Sequence, residues 1–127
     1  MKILGIGVDI IKNKRIKSLL KNKNFIKRTF GKKEVQLSKK ISNKDLYFAK
    51  RFAAKESFAK ALGTGFRNNL NFKDIEILND RIGKPYYFKS MKINNIVRQK
   101  FNIKKYNLFL SISDEKDYSI AFTIVQK

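Results

Sequence analysis

Glu56 and Lys60 stand four residues apart in a stretch that reads as helix, on one strip with Ala49 and Ala53. A carboxylate and an ammonium beside small residues leave room for a third group to approach. Two chemistries suit the pair. One is a plain surface ion pair, contributing a few tenths of a kcal/mol. The other makes Glu56 a ligand for a hard cation and Lys60 a clamp for phosphate. Asp9 is the second carboxylate of interest, at or near the end of an apolar run. An ionised group there needs a partner, unless it serves as a turn or N-cap residue. If Asp9 and Glu56 converge, two carboxylates without imidazole suit magnesium, which keeps waters and substrate phosphates among its ligands.

The chain contains neither histidine nor cysteine. That excludes a disulfide framework, a thiolate nucleophile, a cysteine zinc site and the usual general base near neutral pH. Acid–base or metal chemistry then falls to Asp, Glu, Lys, Tyr, hydroxyls or a metal-bound water. Gly63-Thr64-Gly65 lacks the following Gly-Lys-Ser/Thr of a P-loop, and Gly5-Ile6-Gly7 lacks the third glycine of a dinucleotide fingerprint. Gly63 reads by itself as a helix C-cap, and Gly83-Lys84-Pro85 as a turn.

The elements that must position these residues follow from pattern. Residues 3–11 are short, β-branched and bounded by polar residues, which predicts a strand. Residues 12–40 read as short helices, with Gly31 ending one in a left-handed cap. A long helix runs from a cap at Ser42 or Asn43 to about Leu62, apolar around most of its circumference and so buried on several sides. Alternation predicts a strand over 72–78, and residues 91–101 read as a helix. Residues 106–113 and 118–125 form a C-terminal antiparallel hairpin. This order implies α+β, one domain spanning 1–127.

Composition gives the chain a formal charge of +20, from 30 Lys and Arg against 10 Asp and Glu. Such an excess implies an anionic partner: nucleic acid, a membrane surface, an acidic protein or a phosphorylated small molecule. Residues 12–40 concentrate it, with 12 basic residues against Glu34 alone. The block, including Arg15, Lys21 and Arg28 with interleaved Phe25, is suited to steering an acidic partner. No stretch approaches the ~20 apolar residues of a membrane span, and no signal-peptide pattern opens the chain. A cytoplasmic protein is therefore expected.

Taken in order, four stretches resemble the holo-acyl-carrier-protein synthase family of 4′-phosphopantetheinyl transferases. They are Gly5-Ile6-Gly7-Val8-Asp9-Ile10-Ile11 with Arg15-Ile16; residues 51–65 (RFAAKESFAKALGTG); Asp74-Ile75-Glu76-Ile77 with Gly83-Lys84-Pro85; and Ser111-Ile112-Ser113 before Tyr118-Ser119-Ile120-Ala121. Each alone is weak; their ordered union covers essentially the whole chain.

The resemblance implies transfer of phosphopantetheine from coenzyme A to a serine of an apo acyl carrier protein, releasing adenosine 3′,5′-bisphosphate. It implies Asp9 and Glu56 as magnesium ligands, Lys60 near the coenzyme A phosphates, and Gly63, Gly65, Lys84 and Pro85 near the nucleotide. Arg15 falls on the helix that meets the carrier, and Lys21, Phe25 and Arg28 are assigned to the same surface. A homotrimer with active sites between subunits is also implied. The serine proton goes to Asp9 or to a magnesium-bound water. Asp114, where many members of the family carry histidine, has no role assigned.

A basic nucleic-acid-binding module is the competing reading, favoured by charge and interspersed aromatics. Against it, the aromatics lie mostly in apolar patterns and no RNA- or DNA-binding motif is present. No nucleic-acid partner is therefore expected. A third reading keeps the transferase chemistry but directs it to a different carrier domain.

Overall fold

A computed structural model describes residues 1–67 and 69–127. Strand β1 (Ile3–Lys12) is followed by three short helices, α1 (Asn13–Leu19), α2 (Lys23–Thr29) and α3 (Lys32–Ser38), and then by the long helix α4 (Lys44–Leu62). A small hairpin, β2 (Ile77–Asn79) and β3 (Pro85–Tyr87), leads to helix α5 (Met91–Phe101). Strands β4 (Asn107–Asp114) and β5 (Tyr118–Gln126) end the chain. The sheet has the order β1-β5-β4, antiparallel throughout, and β2-β3 pair separately. The fold is α+β, with α4 laid across one face of the three-stranded sheet.

Helix α4 begins at Asn43, whose side chain accepts from the Leu46 amide at 3.1 Å, satisfying an otherwise orphaned donor. It ends at Gly63, where a left-handed φ of 79° suits a residue without Cβ. Between those caps most side chains are buried, because the helix packs on β1, β5 and β4 below and against α1 beside it.

Residue sizes on the sheet are distributed to allow this. Toward α4, β1 presents Gly5, Gly7 and Asp9, and β5 presents Ser119, Ala121 and Thr123. A Cβ at Gly5 would run into the Ala61 carbonyl, and one at Gly7 into the Ser57 carbonyl. Small residues therefore let backbone meet backbone. Ser57 Oγ and Tyr87 OH each lie 2.6 Å from Thr123 Oγ1, so three buried hydroxyls join α4, β3 and β5. Several large residues of β1 and β5 face outward instead: Ile6, Val8, Ile10, Ile120 and Phe122 are all exposed.

Two local expectations are corrected. Gly31 does not end α2 in a left-handed turn; Phe30 closes that helix in an extended conformation. Gly31 (φ −75°) opens α3, and its missing side chain makes room for the Glu76 carboxylate, which accepts from the Lys33 amide at 3.1 Å. The strand predicted over 72–78 shrinks to Ile77–Asn79, preceded by a 3-10 turn at Phe72–Asp74. There the Asp74 carboxylate accepts from the Asn71 amide at 2.9 Å, so a side chain competes with the ladder.

Buried beneath α3 and α4 is an ion pair of Glu34 and Lys55, with Lys55 Nζ 2.6 Å from Glu34 Oε1 and both side chains inaccessible. The ammonium also donates to the carbonyls of Phe72 (3.0 Å) and Ile75. Glu34 accepts in addition from the amides of Gly31 (3.0 Å) and Ile77 (3.1 Å). Burial pushes the Lys55 ammonium below its ordinary range while Glu34 holds it up. Satisfaction on every side is what permits two charges in the core.

Candidate active site

Asp9 lies on the helix-facing side of β1, opposite Ala121, and is half-buried. Alternation along the strand puts it there, two residues after Gly7. Lys60, in the last turn of α4, donates to Asp9 Oδ1 at 3.2 Å and to the Val8 carbonyl at 3.0 Å. Glu56 sits one turn earlier and is also half-buried. Its pKa is raised, first by burial and then by the Asp9 charge, while Lys60 and Arg15 oppose the shift. Asp9, Glu56 and Lys60 are therefore brought to one place, and the charge of exposed Arg15 on α1 acts on Glu56 from outside it.

A second carboxylate, Asp9, raises the cost of charging Glu56, and a cation placed between them would relieve that cost. Their donors are hard oxygens, which suits magnesium rather than zinc. Among the described residues no group of three or more His, Cys, Asp or Glu could hold a metal. A two-carboxylate site thus leaves most coordination positions to water and substrate oxygens.

Gly63 and Gly65 follow Lys60 by three and five residues, and a Cβ at either would meet no neighbour among the described residues, so this loop is open beside the site. Gly83, Lys84 and Pro85 lie elsewhere. Gly83 and Pro85 line a cavity of about 670 Å³ with Lys50, Arg51, Asn79 and Asp114. Lys84 is exposed at the turn, its amide donating to Asp80 Oδ1 at 2.9 Å. Arg51 is buried in the cavity wall. It donates to Asn79 Oδ1 at 2.6 Å and stacks over Tyr47, while its Nε–H has no hydrogen-bond partner among the described residues. The single chain therefore does not bring the sequence-derived site residues into one place. Lys60 reaches Asp9 on edge strand β1, whereas Lys50 approaches Asp114 on the opposite edge strand β4 at 4.0 Å.

Of the four residues assigned to a partner surface, Arg15, Lys21 and Arg28 are exposed. Phe25 departs from that assignment. It is buried, packed edge-on against Phe30 and beside Phe52, because α2 needs an apolar anchor. Its part is to hold α2, and Arg28 lies over its ring. Glu34, the single acid of the basic block, is withdrawn into the core, so the block exposes cations alone. Sequence reasoning missed Lys50, Arg51, Lys55 and Asn79. For Lys55 a signal existed: it falls seven residues after Phe48 and three after Phe52, on the same apolar face. For Arg51 and Asn79 none did, since their contact joins residues 28 apart.

Similarity to known proteins bears directly on this arrangement. Residues 5–123 match the model of the 4′-phosphopantetheinyl transferase superfamily. The chain belongs to that superfamily. It is 61% identical to the holo-[acyl-carrier-protein] synthase of Pelagibacter ubique, over 100% of this chain and 99% of that protein. The crystal structure of the Neisseria meningitidis holo-[acyl-carrier-protein] synthase superposes with a TM-score of 0.89 at 38% identity, covering 99% and 100% of the two chains. The Helicobacter pylori holo-[acyl-carrier-protein] synthase, solved in complex with coenzyme A, superposes at 0.79 with 31% identity, over 95% and 99%. The transferase fold expected from the sequence is thus the one observed.

Proposed function

We propose that Asp9, Glu56 and Lys60 carry out phosphopantetheinyl transfer, with magnesium held by the two carboxylates. The activity is that of a holo-acyl-carrier-protein synthase: 4′-phosphopantetheine passes from coenzyme A to a serine of apo acyl carrier protein. The convergence of the three side chains carries the assignment of roles. Serine oxygen forms a bond to the phosphorus bearing pantetheine as the bond to the bridging oxygen breaks, and adenosine 3′,5′-bisphosphate leaves. Charge grows on the departing phosphate. The Lys60 ammonium, anchored by Asp9 and the Val8 carbonyl, is positioned to meet it. Bound magnesium would supply further charge neutralisation between the phosphates. No histidine exists to take the serine proton. Asp9 is the basic group on hand, with water at the site as the alternative acceptor.

The outward apolar face supports a homotrimer. Ile6 and Ile10 are 55% and 61% exposed, and Phe122 and Phe109 lie on the same side of the sheet. A face of this size and polarity needs cover. The two half-sites lie at opposite sheet edges, so a head-to-tail contact joins the Asp9 edge of one subunit to the Asp114 edge of the next. Heterologous contacts that close make rings, and three is the smallest ring beyond the dimer. Gly63 and Gly65 would then face the nucleotide from one subunit, and Gly83, Lys84, Pro85 and Arg51 from its neighbour. The exposed cations Arg15, Lys21 and Arg28 offer the acidic carrier its docking surface. One domain, 1–127, carries all of this. No helix among the described residues is long and apolar enough to cross a membrane, consistent with a cytoplasmic enzyme.

The test is direct. Purified protein is mixed with coenzyme A, magnesium and apo acyl carrier protein, and the carrier's intact mass is recorded. A gain of one phosphopantetheine, lost with EDTA and with Glu56→Ala, supports the assignment. Transfer that persists in both controls would remove magnesium and Glu56 from it. No transfer to several apo carriers by folded protein would overturn the reading.

A further inference from the structure

The Glu34–Lys55 pair takes no part in the chemistry described, yet it is the most heavily bonded polar feature in the core. It joins α3, α4, the α2–α3 junction through Gly31, and the 72–77 segment through Phe72, Ile75 and Ile77. Apolar side chains of similar volume often fill such a space as stably as a buried ion pair does. What an ion pair adds is directional: every bond fixes one angle between the elements it joins.

The two elements it joins most tightly carry different halves of the reaction. Helix α4 bears Glu56, the residue after Lys55, and Lys60 one turn on. The chain running into Glu34 bears Lys21 and Arg28 on the exposed basic arm. A second tie, the Lys33 amide to Glu76 Oε2 at 3.1 Å, holds the start of α3 from the outside. A tilt of this arm on α4 would move the docking cations relative to the phosphate-handling groups, and so displace the incoming serine.

We infer that Glu34 and Lys55 are positioning residues for the carrier protein, setting the docking arm's angle on the catalytic helix. This rests on the reading of the basic arm as the carrier's docking surface. The pair contributes to carrier turnover and not to coenzyme A binding, because neither side chain reaches the Asp9–Glu56–Lys60 cluster.

Steady-state kinetics with each substrate varied separately test this. The double variant Glu34→Leu/Lys55→Met removes both charges together and leaves no unpaired ion. The expected result is a fall in kcat/KM for apo carrier of about tenfold or more, with KM for coenzyme A within about twofold of wild type. Glu76→Ala, which cuts only the outer tie and leaves the core intact, is expected to shift carrier kcat/KM in the same sense by a smaller factor. It keeps the test decisive if the double variant does not fold. Unchanged carrier kinetics in folded double variant, or in Glu76→Ala when the double variant does not fold, would overturn the inference. So would a parallel rise in both KM values, which marks general loosening. Lys21→Ala/Arg28→Ala tests the underlying reading separately. If those substitutions leave carrier KM unchanged, the docking surface is elsewhere and the inference falls with it.

Discussion

Gly7 on β1 rests directly on the Ser57 carbonyl of α4, with no space between them for a methyl group. The contact sets the distance from strand to helix, and Asp9 lies only two residues beyond it. We expect Gly7→Ala to force strand and helix apart, since the opposing atom is backbone and cannot swing away. The loss should be at least about 2 kcal/mol in denaturant unfolding. Activity should fall further than stability explains, because Asp9 would leave the reach of Lys60.

Lys60 is largely exposed, so its substitution should leave the fold intact while disabling transfer. Lys60→Ala is expected to lower kcat by about 10²–10³-fold, the scale for removing a preorganised charge from a transition state. Circular dichroism should be unchanged. Near-normal turnover would take Lys60 out of the reaction.

The raised pKa of Glu56 has a definite sign in stability. Burial and Asp9 make the folded protein bind this proton more tightly than the unfolded chain does. In metal-free protein the resulting stabilisation is complete below the ordinary value of 4.5 and is lost as pH rises through the raised value. Thermal unfolding in EDTA should show this loss, and Glu56→Gln should flatten it. Magnesium competes with the same proton, so its stabilising effect should shrink as pH falls through that window.

Phe122 stands in the middle of the outward apolar face, opposite Val8. Phe122→Glu would place a charge there and should yield monomers by light scattering, with transfer activity lost. A sharper test mixes two inactive proteins, Lys60→Ala and Arg51→Ala, after dissociation and reassembly. A site shared between subunits regains both wild-type halves in about a quarter of random pairings. No recovery from mixed oligomers would mean that each protomer holds its own complete site.

Much was legible along the chain because it is written in local pattern. The caps at Asn43 and Gly63 and the apolar circumference between them defined α4 from sequence. Alternation and turn residues defined the β4–β5 hairpin and β1. Glu56 and Lys60 share a helix face by simple periodicity. The Gly31 cap failed for a contact distant in sequence, the Glu76 carboxylate, whereas the 72–78 strand gave way to a turn that Asp74 caps three residues from Asn71. The sequence by itself determined most of the elements, the absence of histidine and cysteine chemistry, and the pairing of Glu56 with Lys60 on one helix face. Only the tertiary structure decided that Asp9 meets that pair, that Lys55 is buried against Glu34, and that Gly83 and Pro85 line a separate cavity. The reason is physical. Helix and strand periodicity act over a few residues, whereas these contacts join residues 21 to 51 apart and are set by how closely α4 can approach the sheet.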